Sequence, residues 1–469
     1  MPNGDEGTTT AVAPADWGPT EDGLAQAFLA GHGDELRYCP SAGRWLRWAQ
    51  YRWVWDEADL HWQYVLKLAR QLPRSGRWRR FHGKALSASG VAGVARLART
   101  SPSVTVSLDE LDAHPYELNT PSGIVDLRTG SVRPADRMQL HTRSTAVGPD
   151  ADRRGEVFER FLDDTFGDDA EMRTYVQRLV GVAAIGTVLE QVLPFAHGDG
   201  ADGKSTLFGA VMHALGIGST GYAIAASSDL LIQRPHADHP TELAQLAGAR
   251  LVVCSELDEG QRFAESRIKL LTGGDLIPAR FIRGDWFTFR PSHTLILLGN
   301  HRPEARSGGP GLWRRLRLLP FAHTVPEERQ DPHLPERLRE EAPAILAWIV
   351  QGAVAYLRDG PGEPESIRAA TAAYAREQDS VARFVGDCCE VAVERPAVHV
   401  ATGELRTAYE RWCAENDETP TTPKVLTQRL HRLGVISSRG AKGVRRYEGI
   451  ALRAEPPQQP SRHSGDPMF

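Results

Sequence analysis

The chain has 469 residues, 41% hydrophobic and 25% charged, with 55 Lys and Arg against 60 Asp and Glu for a formal net charge of -5. This length and balance predict a soluble chain of two to four domains with cores of their own, and exclude a protein that coats nucleic acid over its whole surface. No apolar run reaches the ~20 residues of a membrane span, and Cys39, Cys254, Cys388, Cys389 and Cys413, never spaced C-x-x-C, support neither a disulfide framework nor a zinc ribbon.

Residues 1–18 read as a disordered tail without the basic start and apolar block of a secretory signal, which predicts a cytoplasmic location. Residues 19–150 read as an accessory α+β region. In it, RYCPSAGRWLRWAQYRWVWDEADLHW alternates aromatic with polar residues around Gly43, the pattern of a hairpin with an aromatic face. The letters DEAD at Asp56–Asp59 lie upstream of the phosphate loop described below, the wrong order for a helicase box, and are read as a surface turn. RQLPRSGRWRRFHGK then concentrates Arg70, Arg74, Arg77, Arg79, Arg80 and Lys84, a basic run or a solvated face, and ELNTPSGIVDLRTGSVRP repeats the strand-turn-strand grammar. Residues 151–190 carry apolar residues at helical spacing, from Val157 to Val180, and form a helical lead-in.

From 191 to 357, short apolar strands alternate with helices, which predicts an α/β core with a largely parallel sheet. GDGADGKST, Gly198–Thr206, satisfies G-x-x-x-x-G-K-[ST] between a strand, VLPFAH, and an amphipathic helix. Gly198, Asp199, Gly200, Ala201, Asp202 and Gly203 would wrap phosphate with backbone N–H groups, Lys204 would reach the β- and γ-phosphates, and Ser205, followed by Thr206, would hold Mg²⁺. A metal-binding acid is expected next, and LVVCSELDEG places Glu256, Asp258 and Glu259 at a strand end; Glu256 is the first choice for the metal, with Glu256 or Glu259 activating water. HTLILLGNHRP ends a third strand at Asn300, placed to orient that water. In GPGLWRRLRLLPF, Arg314 or Arg315 is suited to neutralise transition-state charge on a neighbour's ATP, or to form a salt-bridged pair.

Beyond the linker RDGPGEPES, residues 366–454 read as three helices and a basic hairpin, the layout of a winged helix, with Lys442, Arg445 and Arg446 in the wing. Residues 455–469 read as a second disordered tail.

In order and spacing, the phosphate loop, the acidic strand, IKLLTGGDLIPARFIRGDWFTFRP, LLGNHRP and WRRLRLLPF resemble the superfamily 3 helicase domain of phage and plasmid primase-helicases, a domain type shared with the poxvirus primase-helicase. The resemblance implies an AAA+-like ATPase using ATP and Mg²⁺, hexameric, drawing single-stranded DNA 3′-to-5′ through its centre and opening forks in a phage or mobile element, within the host cytoplasm. It implies a pore hairpin built from Lys269 to Asp285, in which Lys269, Arg280 and Arg283 would contact DNA; Phe281 and Trp286 are equally suited to base stacking and to hairpin core. A separate primase or polymerase is an expected partner, because residues 1–150 lack the carboxylate cluster or zinc motif of primer synthesis. Two other readings use the same loop: an ATP-switched replication initiator or loader, and a small-molecule kinase.

Overall fold

The computed structural model describes residues 14–453 except 154, 235–239, 281–284, 306–308, 396, 417, 441 and 442. The expectations for Arg283, Lys442, Phe281, most of the first tail and the second tail therefore lie outside the described residues.

The aromatic stretch folds as expected, into an antiparallel sheet of β1 (Leu36–Cys39), β2 (Arg44–Ala49) and β3 (Arg52–Trp55). Helices Glu21–His32, Leu60–Gln71, Arg79–Ala85 and Ala88–Ala98 pack with it around Leu24, Phe28, Trp45, Leu68, Trp78 and Val94. Of the DEAD letters, Glu57, Ala58 and Asp59 form the expected exposed turn, but Asp56 does not belong to the surface. Asp56 is buried, accepts hydrogen bonds from Leu60 N (3.1 Å) and His61 N (3.3 Å), and pairs with His61 Nδ1 at 3.0 Å. Its carboxylate satisfies N–H groups at the start of helix Leu60–Gln71 that would otherwise lack partners.

β4 (Glu117–Thr120), β5 (Gly123–Asp126) and β6 (Val132–Arg133) form the second meander. It is joined to the core by two cations, one buried and one half-buried. Arg250, 3% exposed, donates to Ala184 O (2.8 Å) and His114 O (3.3 Å) and lies over the Tyr222 ring. Arg143 donates to Gly221 O and Ala247 O, both at 2.7 Å.

The core sheet is parallel throughout: β7 (Leu193–His197), β8 (Ala223–Ser227), β9 (Leu251–Ser255), β12 (Thr294–Gly299) and β13 (Leu316–Pro320), in the order β13-β7-β12-β9-β8. Between β9 and β12 the chain detours into an antiparallel hairpin, β10 (Ile277–Arg280) and β11 (Trp286–Phe289). The central strands β7, β12 and β9 are nearly continuous apolar runs because both faces of the sheet are covered there, while edge strand β8 is partly exposed. Ile296 and Leu298 pack to one side with helices Glu156–Phe166, Ala170–Ala183 and Ala342–Asp359; Leu295 and Leu297 pack to the other, with Phe263 and Leu271. Helices Ala170–Ala183 and Ala342–Asp359 approach backbone to backbone: a Cβ on Gly181 would lie 2.1 Å from Ala353 N, and one on Gly352 2.1 Å from Gln177 O.

Past the expected linker, helix Glu365–Glu377 returns to the sheet. Thr371 Oγ1 accepts from Leu318 N (2.9 Å), Glu363 pairs with Arg317 (2.9 Å), and buried Tyr374 donates to Pro303 O. Asp379 caps a separate helix, Ser380–Cys388, accepting from Val381 N and Ala382 N. There follow β14 (Cys389–Val391), β15 (His399–Ala401), helices Thr402–Glu415 and Pro423–Arg432, β16 (Ile436–Arg439), β17 (Arg445–Glu448) and β18 (Ile450–Leu452), with sheets β15-β17-β16 and β14-β18. The five cysteines are free thiols, and no described helix is long and apolar enough to cross a membrane.

Candidate functional site

Parallel strands in register end together. His197 of β7 lies opposite Gly299 of β12 and Pro320 of β13, while Ser227 of β8 lies opposite Ser255 of β9. The loop after β7, the acidic turn after β9 and Asn300 after β12 are thus delivered to one edge of the sheet. Ligands of open α/β sheets bind at this carboxyl edge.

The phosphate loop needs its glycines. Gly200 and Gly203 have φ of +106° and +82°, and a Cβ on Gly198 would lie 2.1 Å from Asp202 Oδ2 and 2.5 Å from Phe321 O. Helix Lys204–Leu215 starts at the loop, so the N–H groups of its first turn and the positive end of its dipole face the loop, with Lys204 N–H donating to Asp202 Oδ1 at 3.3 Å. Lys204 is buried and spoken for: Nζ donates to Asp202 Oδ2 (2.7 Å) and Gly198 O (3.3 Å), with Asp202 itself 2% exposed. Ser205 and Asp199 are exposed and Thr206 is half-buried.

Thr165, missed by sequence reasoning, closes the loop from helix Glu156–Phe166. Its buried Oγ1 has no hydrogen-bond partner and sits 2.7 Å from where a Gly203 Cβ would stand. An orphaned buried hydroxyl beside a glycine cradle and a helix N-terminus fits a phosphate group. The exposed hydroxyl of Ser205 and carboxylate of Glu256 are hard oxygen donors, the kind Mg²⁺ takes. His197 was also missed; burial, with the nearby Arg302 charge, holds it below the ordinary imidazole value.

Glu256 has a left-handed backbone, φ +72°, and an exposed side chain. For a non-glycine residue this conformation costs on the order of 1 kcal/mol. Two contacts maintain it: Ser228 Oγ donates to Glu256 O at 2.6 Å, and Leu257 is buried against Gly299, where an added Cβ would come within 2.3 Å of Leu257 Cδ1. Asp258 is occupied with Gln261 through its N–H (3.2 Å) and Oδ2 (3.3 Å), whereas Glu259 is exposed. Because β12 runs between β7 and β9, Asn300 stands between the loop and the acids. Its Nδ2 is 3.8 Å from the position of a Gly200 Cβ.

The two arginines separate by burial. Arg315 is 5% exposed and committed to Thr272 Oγ1 (3.0 Å), Gly311 O (2.9 Å) and Gln191 Oε1 (2.9 Å), which makes it a structural tie. Arg314 is exposed. Both precede Leu316, which pairs with Leu193 at the start of β7, whereas the phosphate loop follows the end of β7. That strand length, roughly 13 Å at ~3.3 Å per residue, separates Arg314 from its own loop.

The expected nucleic-acid contacts are dispersed. Lys269, on helix Glu265–Leu271, is exposed and 3.9 Å from Glu265. Arg280 is exposed at the end of β10 opposite Trp286, which is 60% exposed and therefore not core of the hairpin. Arg445 is exposed on β17, while Arg446 pairs with Glu448 at 2.7 Å and donates to Ser438 Oγ.

Residues 25–167 match a family described as D5 N terminal like, and residues 196–315 match a family of unknown function, DUF5906. "Putative helicase L207/L206" of Acanthamoeba polyphaga mimivirus is 26% identical over 332 residues, 66% of this chain and 34% of that protein. "Putative helicase 121R" of Invertebrate iridescent virus 3 is 26% identical over 246 residues, 50% of this chain and 25% of that protein. The chain thus spans roughly a third or less of the length of these relatives. A solved structure described as the A form apo structure of NrS-1 C terminal region-CTR shares the fold at a TM-score of 0.50 and 10% identity, over 92% of this chain and 100% of that one.

Proposed function

We propose that this chain, whose family matches and helicase-named relatives support a phage and viral primase-helicase-like family, is an ATP-driven DNA helicase acting as a ring of six. The observation that carries the reading is Asn300, on a strand between the phosphate loop and the acidic turn and 3.8 Å from the Gly200 Cβ position. A loop that binds phosphate without hydrolysing it does not need a polar side chain there. A motor does, to orient water and register loss of the γ-phosphate.

In this reading the loop glycines and the helix N-terminus cradle the triphosphate, and Lys204 leaves Asp202 for the β- and γ-phosphates. Ser205 and Glu256 would hold Mg²⁺, which neutralises charge on the phosphates. Glu256 or Glu259 accepts the proton of the attacking water, and Asn300 fixes that water's direction. Arg314 comes from the neighbouring subunit, since its own loop lies a strand length away. The β10–β11 hairpin, with Arg280 and Trp286 exposed, is the element that grips single-stranded DNA in the ring's centre and moves with each hydrolysis, translocating 3′-to-5′. The segment from helix Ser380–Cys388 to β17 acts as a winged helix, with the β16–β17 hairpin as wing.

The test is ATP turnover with and without single-stranded DNA. We expect DNA to stimulate the wild type, and Lys204→Ala to reduce turnover by at least a hundredfold. Mixing Lys204→Ala with Arg314→Ala chains should restore part of it, because some interfaces then combine an intact loop with an intact arginine. Turnover untouched by Lys204→Ala would remove the loop from the chemistry, and no recovery at any mixing ratio would remove Arg314 from the neighbour's site.

A further inference from the structure

From Leu60 to Thr100 the sequence contains no Asp or Glu, although the chain as a whole is acidic. Lys67, Arg70, Arg74, Arg79, Arg80 and Arg96 in that stretch are all exposed, and none makes an ion pair among the described residues. Elsewhere arginines are commonly paired, as Arg234 is with both Asp229 and Glu242. The stretch folds as one unit: helices Leu60–Gln71, Arg79–Ala85 and Ala88–Ala98 share a core of Val65, Leu68, Trp78, Phe81, Val91 and Val94. Unpaired cations held at fixed positions on one small helical unit repel one another, a cost that an anionic partner relieves.

Where the start of helix Leu60–Gln71 and the last turns of helix Ala88–Ala98 meet strands β1 and β2, a cavity of about 650 Å³ opens, walled by Tyr38, Trp45, His61 and Trp62 and edged by Arg96 and Arg99. Three acids also line it: Asp56 is taken by His61 and the helix N-terminus, Glu57 faces Arg44 at 3.7 Å, and Asp59 is exposed at the rim, opposed by Arg44, Arg96 and Arg99 in the same lining. Arg99 lies over the Tyr38 ring, 5.4 Å from its centroid, and donates to its hydroxyl. Rings and guanidinium groups around a cavity, on the same helical unit as a run of exposed cations, are the chemistry that binds single strands: stacking for bases, charge for phosphates.

We propose that the helical face of residues 60–99 is a second binding surface for single-stranded DNA, with the phosphates along the exposed cations and a base entering the Trp62–Arg96 cavity. It lies outside both the nucleotide site and the β10–β11 hairpin, so it goes beyond the motor described above.

The test is equilibrium binding of a labelled oligo-dT to the full chain without ATP, across a salt series. Reversing Arg74, Arg79 and Arg80 to Glu should weaken binding at least tenfold and flatten the slope of log affinity against log salt by about 2, the ~0.7 per phosphate contact of a single strand. The same three positions changed to Lys should retain affinity, which separates charge from folding. Trp62→Ala should weaken oligo-dT by at least fivefold and a blunt duplex by much less. Unchanged affinity and salt slope in the Glu variant would overturn the proposal, as would loss of binding only to anionic lipid vesicles. Because no turnover is measured, a chain that failed as an ATPase could still pass, and an active ATPase could still fail.

Discussion

Lys204 begins its helix already holding a carboxylate. The 2.7 Å contact with Asp202, inside a buried loop, neutralises the charge that a triphosphate would otherwise meet, so binding exchanges one anionic partner for another. Asp202→Asn keeps the size of the side chain and removes the competitor. It should tighten ATP binding several-fold, measured by titrating a fluorescent ATP analogue; equal or weaker binding would show that Asp202 shapes the loop and does not restrain the lysine. At this scale the sequence reveals the loop, since G-x-x-x-x-G-K-S spacing follows from backbone geometry. It conceals Thr165, which reaches the loop from a helix some forty residues upstream. It also presents Arg314 and Arg315 as equals, and only burial separates the tie from the exposed cation.

Core strands β7, β9, β12 and β13 were legible as apolar runs, whereas β8, AIAAS, was not, and the order of the strands was not either, because parallel strands are joined by crossovers whose length does not specify the neighbour. That order puts Asn300 beside the loop. It also puts His293, just before β12, in the core, where Nε2–H donates to Leu271 O (3.1 Å) and Nδ1 has no partner. Burial pushes its pKa down to about 4, against an ordinary value of 6.5. The folded chain therefore keeps this ring neutral as pH falls from 6.5 towards 4, while the unfolded chain takes up the proton, and stability falls over that window. The loss from pH 7.5 to pH 5 is about 2 kcal/mol for this group. Urea midpoints at the two pH values should show a drop that His293→Gln reduces by that amount; an unchanged drop would mean that the ring is protonated in the fold. The same scale holds the DEAD letters, where Asp56 caps a helix, a role set by the strand before it and the helix after it.

For the molecule as a whole, a strand length separates Arg314 from its own loop, so under the proposed function a single chain would be an incomplete motor. In the proposed account the neighbour's arginine completes each nucleotide site, so hydrolysis reports on assembly and the hairpins of successive subunits move in turn. The described residues present three basic or aromatic elements outward: the β10–β11 hairpin, the β16–β17 hairpin and the helical face of residues 60–99. The sequence showed all three as local charge, but not that the third shares its helices with an aromatic cavity, which forms only when strands β1 and β2 pack against them. The measurement that bears most directly on the account is ATP-dependent strand separation on forks carrying either a 3′ or a 5′ single-stranded tail on the loading strand. The account predicts unwinding with the 3′ tail, at most weak unwinding with the 5′ tail, and none with Lys204→Ala. DNA-stimulated ATP hydrolysis without strand separation on either fork would contradict it, and would leave an ATP-switched loader in its place.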